Sequence, residues 1–152
     1  MKVSDILRVK GGTLFTAKPE DSLADAAQLM ADKDLGSLVV ISNGRVVGML
    51  TFREVIKAVV KNGGAFGTTS VYRAMDNGPL ICTMETEMDE VRRMMLDRHA
   101  RYMPVINNSM LMGVISFYDV ARTVVDSQNF ENKMLKAYIR DWPEGEEPAK
   151  VA

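Results

Sequence analysis

The sequence repeats itself, and this duplication constrains the fold more than any other feature. When the chain is shifted by 65 residues, residues 16–60 align with residues 81–125 without a gap and are identical at 11 of 45 positions. Most of the remaining apolar positions match in type. Ahead of each block, residues 3–7 resemble residues 71–75 at a shift of 68. The chain therefore contains two copies of one structural unit.

Both copies predict the same series of elements. A short extended segment, at residues 14–16 and again at 80–83, precedes an amphipathic helix whose apolar side chains recur every three or four residues. A hairpin follows, and Asn-Gly at positions 43–44 gives a strong turn signal. A second helix closes each copy, over residues 52–61 and 117–127. The unit is therefore β-α-β-β-α, present twice.

A single unit of this kind has too few elements to bury both faces of its sheet. We therefore expect an α+β fold in which two β-α-β-β-α repeats pack face to face about a pseudo-twofold axis and share one core. Residues 1–62 form the first repeat, 63–70 a linker and 71–127 the second repeat. Residues 128–152 form a C-terminal helix and tail, with the helix ending at Asp141-Trp142-Pro143 and a frayed segment after it.

Composition and charge argue against several classes of protein. With 20 acidic and 19 basic residues the net charge is −1, so the basic excess typical of nucleic-acid binders is missing. No apolar run approaches the roughly 20 residues that cross a bilayer, and we expect no membrane segment. Residues 1–10 lack the apolar centre of a signal peptide. The one cysteine, Cys82, cannot form an intrachain disulfide, and the cytoplasm is the expected compartment.

The two copies carry the same polar motif where the hairpin ends and the second helix begins. A hydroxyl residue is followed three positions later by a carboxylate, as Thr51 and Glu54 in the first copy and as Ser116 and Asp119 in the second. A helix N-terminus presents unpaired N–H groups and a partial positive charge, which suit a phosphate. The carboxylate one turn later can accept hydrogen bonds from two neighbouring hydroxyls, as a ribose presents them. The spacing therefore suits a nucleotide.

The same spacing also defines a helix capping box, which needs no ligand. Residues 22–25 and 86–89 show it ahead of other expected helices. Spacing alone favours capping, whereas repetition of the motif at symmetric positions, each after a glycine-containing buried strand, favours ligand binding. Both interpretations stay open on these residues.

Taken together, these motifs resemble the cystathionine-β-synthase (CBS) domain pair, also called a Bateman module. The resemblance covers residues 3–125 and depends on the Gly-apolar-apolar-Thr/Ser-x-x-acid pattern at 48–54 and 113–119, together with the strand at 99–106 and its counterpart at 34–40. It implies two clefts between the repeats that bind AMP, ATP, ADP, NAD or S-adenosylmethionine in different members. For this chain it implies AMP first, no metal, no catalysis, a homodimer, and regulation of a partner protein in trans.

The resemblance also implies roles for single residues. Asp119 would hold the ribose and Ser116 the phosphate, and Thr51 would take the phosphate role in the other cleft. Glu54 stands where the family usually has Asp, so its binding and capping roles both stay open, and the cleft of Ser116 and Asp119 is the stronger candidate. The remaining positions supply backbone to the adenine edge (Thr16, Ala17, Ile81, Cys82, Thr83), apolar wall (Val39, Met103, Pro104) and cations near the phosphate (His99, Arg101).

Two other functions remain as alternatives. A ligand-free interaction scaffold would use both motifs only as caps. A small enzyme would need a metal cluster, an activated nucleophile or a P-loop, none of which the sequence indicates. Cys82 lies in an apolar strand and fits a core position better than a nucleophile. His99, the only histidine, fits a helix end better than a ligand contact.

Overall fold

The computed structural model describes residues 1–140, which form six helices and five strands. In chain order these are α1 (Val3–Lys10), β1 (Thr16–Ala17), α2 (Leu23–Asp32), β2 (Ser37–Ser42), β3 (Arg45–Thr51), α3 (Phe52–Lys61), α4 (Val71–Ala74), α5 (Met88–Arg98), β4 (Tyr102–Asn107), β5 (Met110–Ser116) and α6 (Phe117–Arg140). The expected helix stop at Asp141-Trp142-Pro143 and the tail beyond it lie outside the described residues. Within residues 1–140, every helix is too short or too polar to cross a membrane.

Each repeat folds around its own small sheet. β1 runs parallel to β2, and β2 pairs with β3 in antiparallel register. In the second repeat β4 pairs with β5, and Cys82 takes the place of β1 through a parallel bridge to Val105. Both hairpins turn through residues of positive φ, at positions 43–44 and 108–109, as the asparagine-containing turns predict. The α+β fold with two β-α-β-β-α repeats is therefore confirmed.

The helix that precedes each repeat packs on the other repeat. Although α1 begins the chain, Val3 is fully buried among residues of the second repeat and its N–H donates to the carbonyl of Thr86 at 2.9 Å. Although α4 leads into the second repeat, Val71 is fully buried in the first and its N–H donates to the carbonyl of Asp21 at 2.8 Å. The two leading segments are thus exchanged.

This exchange gives the molecule two hydrophobic cores. Val3 joins one cluster with Val91 and Met95 of the second repeat, while Val71 joins another with Leu23 of the first. The expectation of one shared core was wrong, because each sheet is covered by an exchanged helix and does not need the opposite sheet to bury its apolar face. The repeats still touch along β3 and β5.

The C-terminal helix is part of a longer element. We expected one helix to end near residue 127 and another to run over 129–140, but α6 continues unbroken from Phe117 to Arg140. Residues 117–140 contain no proline or glycine, so no residue in this stretch breaks the hydrogen-bond ladder. Beyond Val120, most of its side chains are exposed.

Candidate functional site

Two clefts lie between the repeats at positions related by the duplication. The Thr51 cleft, about 520 Å³, is formed by the β3–α3 junction of the first repeat facing residues 78–80 and 98–102 of the second. The Ser116 cleft, about 560 Å³, is formed by the β5–α6 junction of the second repeat facing residues 13–15 and 34–37 of the first. Both volumes fall in the range of small-molecule sites.

At the Thr51 cleft, Thr51 and Glu54 form a capping box at the start of α3. Glu54 Oε2 accepts hydrogen bonds from the Thr51 N–H, at 3.1 Å, and from the Thr51 hydroxyl. Thr51 Oγ1 in turn accepts from the Arg53 N–H at 3.2 Å. The second carboxylate oxygen, Oε1, has no hydrogen-bond partner within residues 1–140. Capping therefore uses one oxygen of Glu54 and leaves the other for a ligand.

The Ser116 cleft repeats this geometry and adds a lysine. Asp119 Oδ2 accepts from the Ser116 N–H at 2.8 Å and from the Ser116 hydroxyl at 2.9 Å. Lys10, at the end of the exchanged helix α1, donates to the same oxygen at 2.8 Å and to the Val114 carbonyl at 2.9 Å. Among the described residues Asp119 Oδ1 has no partner. Both motifs are thus capping boxes. Glu54 lines the Thr51 cleft, whereas the Asp119 side chain is 12% exposed and lines the groove beside α1 rather than the Ser116 cleft.

The hydroxyls of Thr51 and Ser116 donate to the neighbouring carboxylates. Either hydroxyl must rotate about its C–O bond before it can donate to a phosphate. The carboxylate still accepts from the backbone N–H after that rotation, so the helix keeps one capping bond. Ligand binding and helix capping are therefore compatible in this arrangement.

Arg101 and Tyr102 line both clefts and form the wall between them. The Arg101 side chain is exposed and has no ion pair in the part of the chain that the structure describes. Its guanidinium is therefore available to an anion in either cleft. His99 lines the Thr51 cleft and ends α5, which confirms the expected position at a helix end.

The other predicted site residues divide into two groups. Val39 lines the Ser116 cleft. Seven of them line neither cleft: Thr16, Ala17, Ile81, Cys82, Thr83, Met103 and Pro104. The reason is that Thr16 and Ala17 pair with β2, Cys82 bridges to β4, and the chain meets the clefts two or three residues earlier, at 13–15 and 78–80. Contact of these seven residues with a ligand stays a prediction. Asp119, the expected ribose ligand, likewise lines neither cleft and lies in the groove beside α1.

Cys82 is a core residue, as the sequence indicates. Its side chain belongs to the core of the second repeat, and burial raises the pKa of the thiol to about 12. At neutral pH the thiol stays protonated, and a protonated thiol is a poor nucleophile. Within residues 1–140, no group of three or more His, Cys, Asp or Glu side chains is arranged to hold a metal ion.

Several residues at the clefts were not predicted from the sequence. Lys10 is 109 positions from Asp119 along the chain, and no local pattern links them. Arg53 is a variable position of the Thr51 motif, and Arg98 belongs to a basic cluster with Arg92 and Arg93 that is typical of a solvated helix face; both line the Thr51 cleft. Tyr102 could have been found, because it is adjacent to the predicted Arg101 and begins β4.

Comparisons with known proteins agree with this architecture. The family model of the CBS domain matches residues 3–61 and 71–126. The chain is 29% identical over 147 residues to the CBS domain-containing protein CBSX3, mitochondrial, of Arabidopsis thaliana, covering 91% of this chain and 71% of that protein. It is also similar to the crystal structure of the CBS-domain containing protein ATU1752 from Agrobacterium tumefaciens, with a TM-score of 0.76, 32% identity and coverage of 81% of this chain and 98% of that chain.

Two structures with bound ligands share the fold at lower identity. The CBS domain pair of protein MJ0100, in complex with 5′-methylthioadenosine and S-adenosyl-L-methionine, has a TM-score of 0.74 and 20% identity over 84% of this chain and 98% of that chain. CBSX2 in complex with AMP has a TM-score of 0.70 and 22% identity over 84% of this chain and 98% of that chain. At these identities the likeness concerns the fold.

Proposed function

The chain belongs to the CBS domain family, and on this basis we propose that it is a non-catalytic regulatory module that binds an adenosine nucleotide in the clefts between its repeats. The observation that carries the proposal is the pair of hydroxyl–carboxylate motifs at the helix N-termini beside the clefts: Thr51 and Glu54 line one cleft, and Ser116, which lines the other, is hydrogen-bonded to Asp119. AMP is our first choice of ligand. ADP, ATP, NAD and S-adenosylmethionine are the alternatives.

In this proposal two kinds of protein group bind two different parts of the nucleotide. The free carboxylate oxygen accepts from the ribose hydroxyls, and the hydroxyl of Ser116 or Thr51 donates to the phosphate together with the first N–H groups of the helix. Arg101 adds a positive charge from the wall between the clefts. The two ligand-bound structures of this fold carry adenosine compounds, and the proposal takes their ligand class over to this chain.

A ligand held between the repeats can influence a partner because it contacts both of them. Each cleft has one wall from the first repeat and one from the second, so occupancy favours the relative packing that closes both walls on the ligand. Because Arg101 and Tyr102 line both clefts, a ligand in one changes the surroundings of the other. A partner protein in trans, met in the cytoplasm, would respond to that change.

The panel of nucleotides named above separates this function from a ligand-free scaffold. At a concentration one hundred times its Kd, a ligand of one site adds about 2.7 kcal/mol to the free energy of unfolding. For a chain of this size that raises Tm by roughly 5–10 °C. We expect such a shift with one or two of the five compounds in a thermal melt of nucleotide-free protein. An unchanged Tm with all five would favour the scaffold.

We also propose that two chains associate through an apolar stripe on the second helix of each repeat. On α3 this stripe consists of Phe52, Ile56 and Val60, which are 50, 61 and 72% exposed and follow one another every four residues. The duplication repeats it on α6, where Phe117 and Val125 are exposed. A surface that carries its own pseudo-twofold copy suits an isologous contact with a second chain.

If the chain forms this dimer, the parent protein and a variant with a disrupted stripe should differ in mass in solution. The parent protein should elute from size exclusion with the mass of two chains by light scattering, and Ile56→Asp with Val60→Asp should give the mass of one, because burying two carboxylates opposes association. Val9→Asp, at an 83% exposed position on α1, should leave the dimer intact. A parent protein with the mass of one chain would contradict the proposal.

A further inference from the structure

A groove beside the Thr51 cleft carries an excess of positive charge that the groove beside Asp119 lacks. This basic groove, about 520 Å³, lies between α3 and α4, and its charged lining consists of Arg53, Glu54, Lys57, Lys61, Arg73 and Asp76. Arg53, Glu54 and Asp76 line the cleft as well, so the cleft and the groove are adjacent on the protein surface. A ligand in the cleft can therefore extend along α3 without leaving the protein surface.

The combined surface has an excess of unpaired positive charge. Six basic residues line it, against the two acids Glu54 and Asp76: Arg53, Lys57, Lys61, Arg73, Arg98 and Arg101. None of the six has an ion pair within residues 1–140. Arg53, Lys57 and Lys61 follow one another at intervals of four on α3, a spacing at which like charges repel. A polyanion bound along the groove would relieve this repulsion.

The groove beside Asp119 has an excess of acidic residues instead. The groove beside Asp119 is lined by six acidic residues against four basic ones. Three of the basic residues there are already paired: Lys10 with Asp119 at 2.8 Å, Arg8 with Asp5 at 3.8 Å, and Arg92 with Asp89 at 3.8 Å.

Four of the six cations have a counterpart without positive charge in the other copy, whereas Lys57 and Arg98 correspond to Arg122 and Lys33 and keep it. Arg53 and Lys61 correspond to Tyr118 and Asp126 at the shift of 65, and Arg73 corresponds to Asp5 at the shift of 68. Arg101, which lines both clefts, corresponds to Gly36. The Ser116 cleft is lined by two cations, Arg101 and Lys10, of which Lys10 is paired with Asp119. The Thr51 cleft and the groove beside it are lined by six cations without an ion pair within residues 1–140.

From this difference we propose that the two clefts take different classes of nucleotide. The Thr51 cleft with its basic groove binds a nucleoside triphosphate, whose phosphate chain lies over Arg53 towards Lys57 and Arg73. The Ser116 cleft binds a nucleoside monophosphate. The proposal rests on the nucleotide-binding function above and deepens it, because it assigns ligand class by the number of phosphates. Lysine and arginine at the groove are the groups that bind phosphate by charge-assisted hydrogen bonds.

Titration calorimetry with ATP and with AMP, both free of divalent metal, tests the assignment. The double variant Lys57→Gln with Arg73→Gln removes two groove cations that do not line the cleft, and both side chains are exposed, so the fold should persist. We expect its ATP affinity to fall about ten-fold while its AMP affinity changes less than about two-fold. The matched control is Arg122→Gln with Arg8→Gln, in the opposite groove, and it should keep the ATP affinity of the parent.

The titrations distinguish a failure of the assignment of ATP to the Thr51 cleft from a failure of nucleotide binding as a whole. If the parent binds AMP and the groove variant keeps the parent's ratio of ATP to AMP affinity, the groove has no role and only the inference is overturned. If the control loses as much ATP affinity as the groove variant, the effect is general electrostatics, and the inference again falls. If the parent binds neither nucleotide, the inference falls together with the proposed function.

Discussion

Replacing Asp119 with alanine is expected to weaken AMP binding by roughly ten- to one hundred-fold. The variant removes Asp119 Oδ1, which has no partner among the described residues and belongs to a carboxylate that is hydrogen-bonded to Ser116 of the cleft. Hydrogen bonds to a charged group contribute about 1.5–3 kcal/mol. The measurement is titration calorimetry of parent and variant with AMP. Equal affinities would show that Asp119 is a helix cap and no part of a nucleotide site.

A control is needed because Asp119 also stabilises the fold. Its Oδ2 caps α6 through Ser116 and pairs with Lys10, so the alanine variant loses stability as well. Ser22→Ala is the matched control, because the Ser22 hydroxyl accepts from the Asp25 N–H at 3.0 Å and caps α2 outside both clefts. It should lower the free energy of unfolding by about 1 kcal/mol and leave AMP affinity unchanged.

Replacing Gly48 with alanine is expected to lower the free energy of unfolding by about 1–3 kcal/mol. A Cβ at this buried position would lie 2.8 Å from the carbonyl oxygen of Asp76 and 2.6 Å from the sulfur of Met75. The carbonyl has little freedom to move, because Asp76 and Met49 exchange two backbone hydrogen bonds of 2.9 Å. The added methyl group would therefore separate the exchanged segment from β3. Urea unfolding followed by circular dichroism measures the loss.

The duplication supplies the control for this prediction. At Gly113, the counterpart of Gly48, an added Cβ would meet the ends of the Leu7 side chain at 2.8 and 2.9 Å. A leucine side chain can change rotamer where a hydrogen-bonded carbonyl cannot, so Gly113→Ala should cost less than Gly48→Ala. Equal losses, or none at Gly48, would contradict the close packing of the exchanged segments against the sheets.

The sequence predicts the repeated unit because the patterns that specify its turns, helices and helix caps each extend over only a few residues. The Asn-Gly turn at 43–44, the apolar periodicity of α2 and the hydroxyl–carboxylate spacing at Thr51 and Ser116 each act within a few residues. For the same reason the motif was interpreted in two ways. The structure confirms the capping interpretation at both motifs. Ligand binding stays a proposal, and it is compatible with capping because the cap uses one of the two carboxylate oxygens.

The exchange of α1 and α4 is not predictable from such signals. The apolar face of α1 requires burial, but the sequence does not specify which of two similar sheets covers Val3. The same holds for the site. Lys10 reaches Asp119 only because α1 packs on the second repeat, and Arg101 lines both clefts only because the repeats face each other. Contacts of this kind depend on tertiary arrangement rather than on spacing along the chain.

The central claim is that the clefts between the repeats bind an adenosine nucleotide. Titration of nucleotide-free protein with AMP in a calorimeter tests it most directly. We predict saturable binding with a micromolar dissociation constant, and the stoichiometry reports whether one cleft of each chain is occupied or both. No heat of binding with AMP, ADP, ATP, NAD or S-adenosylmethionine would contradict the claim and leave the hydroxyl–carboxylate motifs as helix caps of an interaction scaffold.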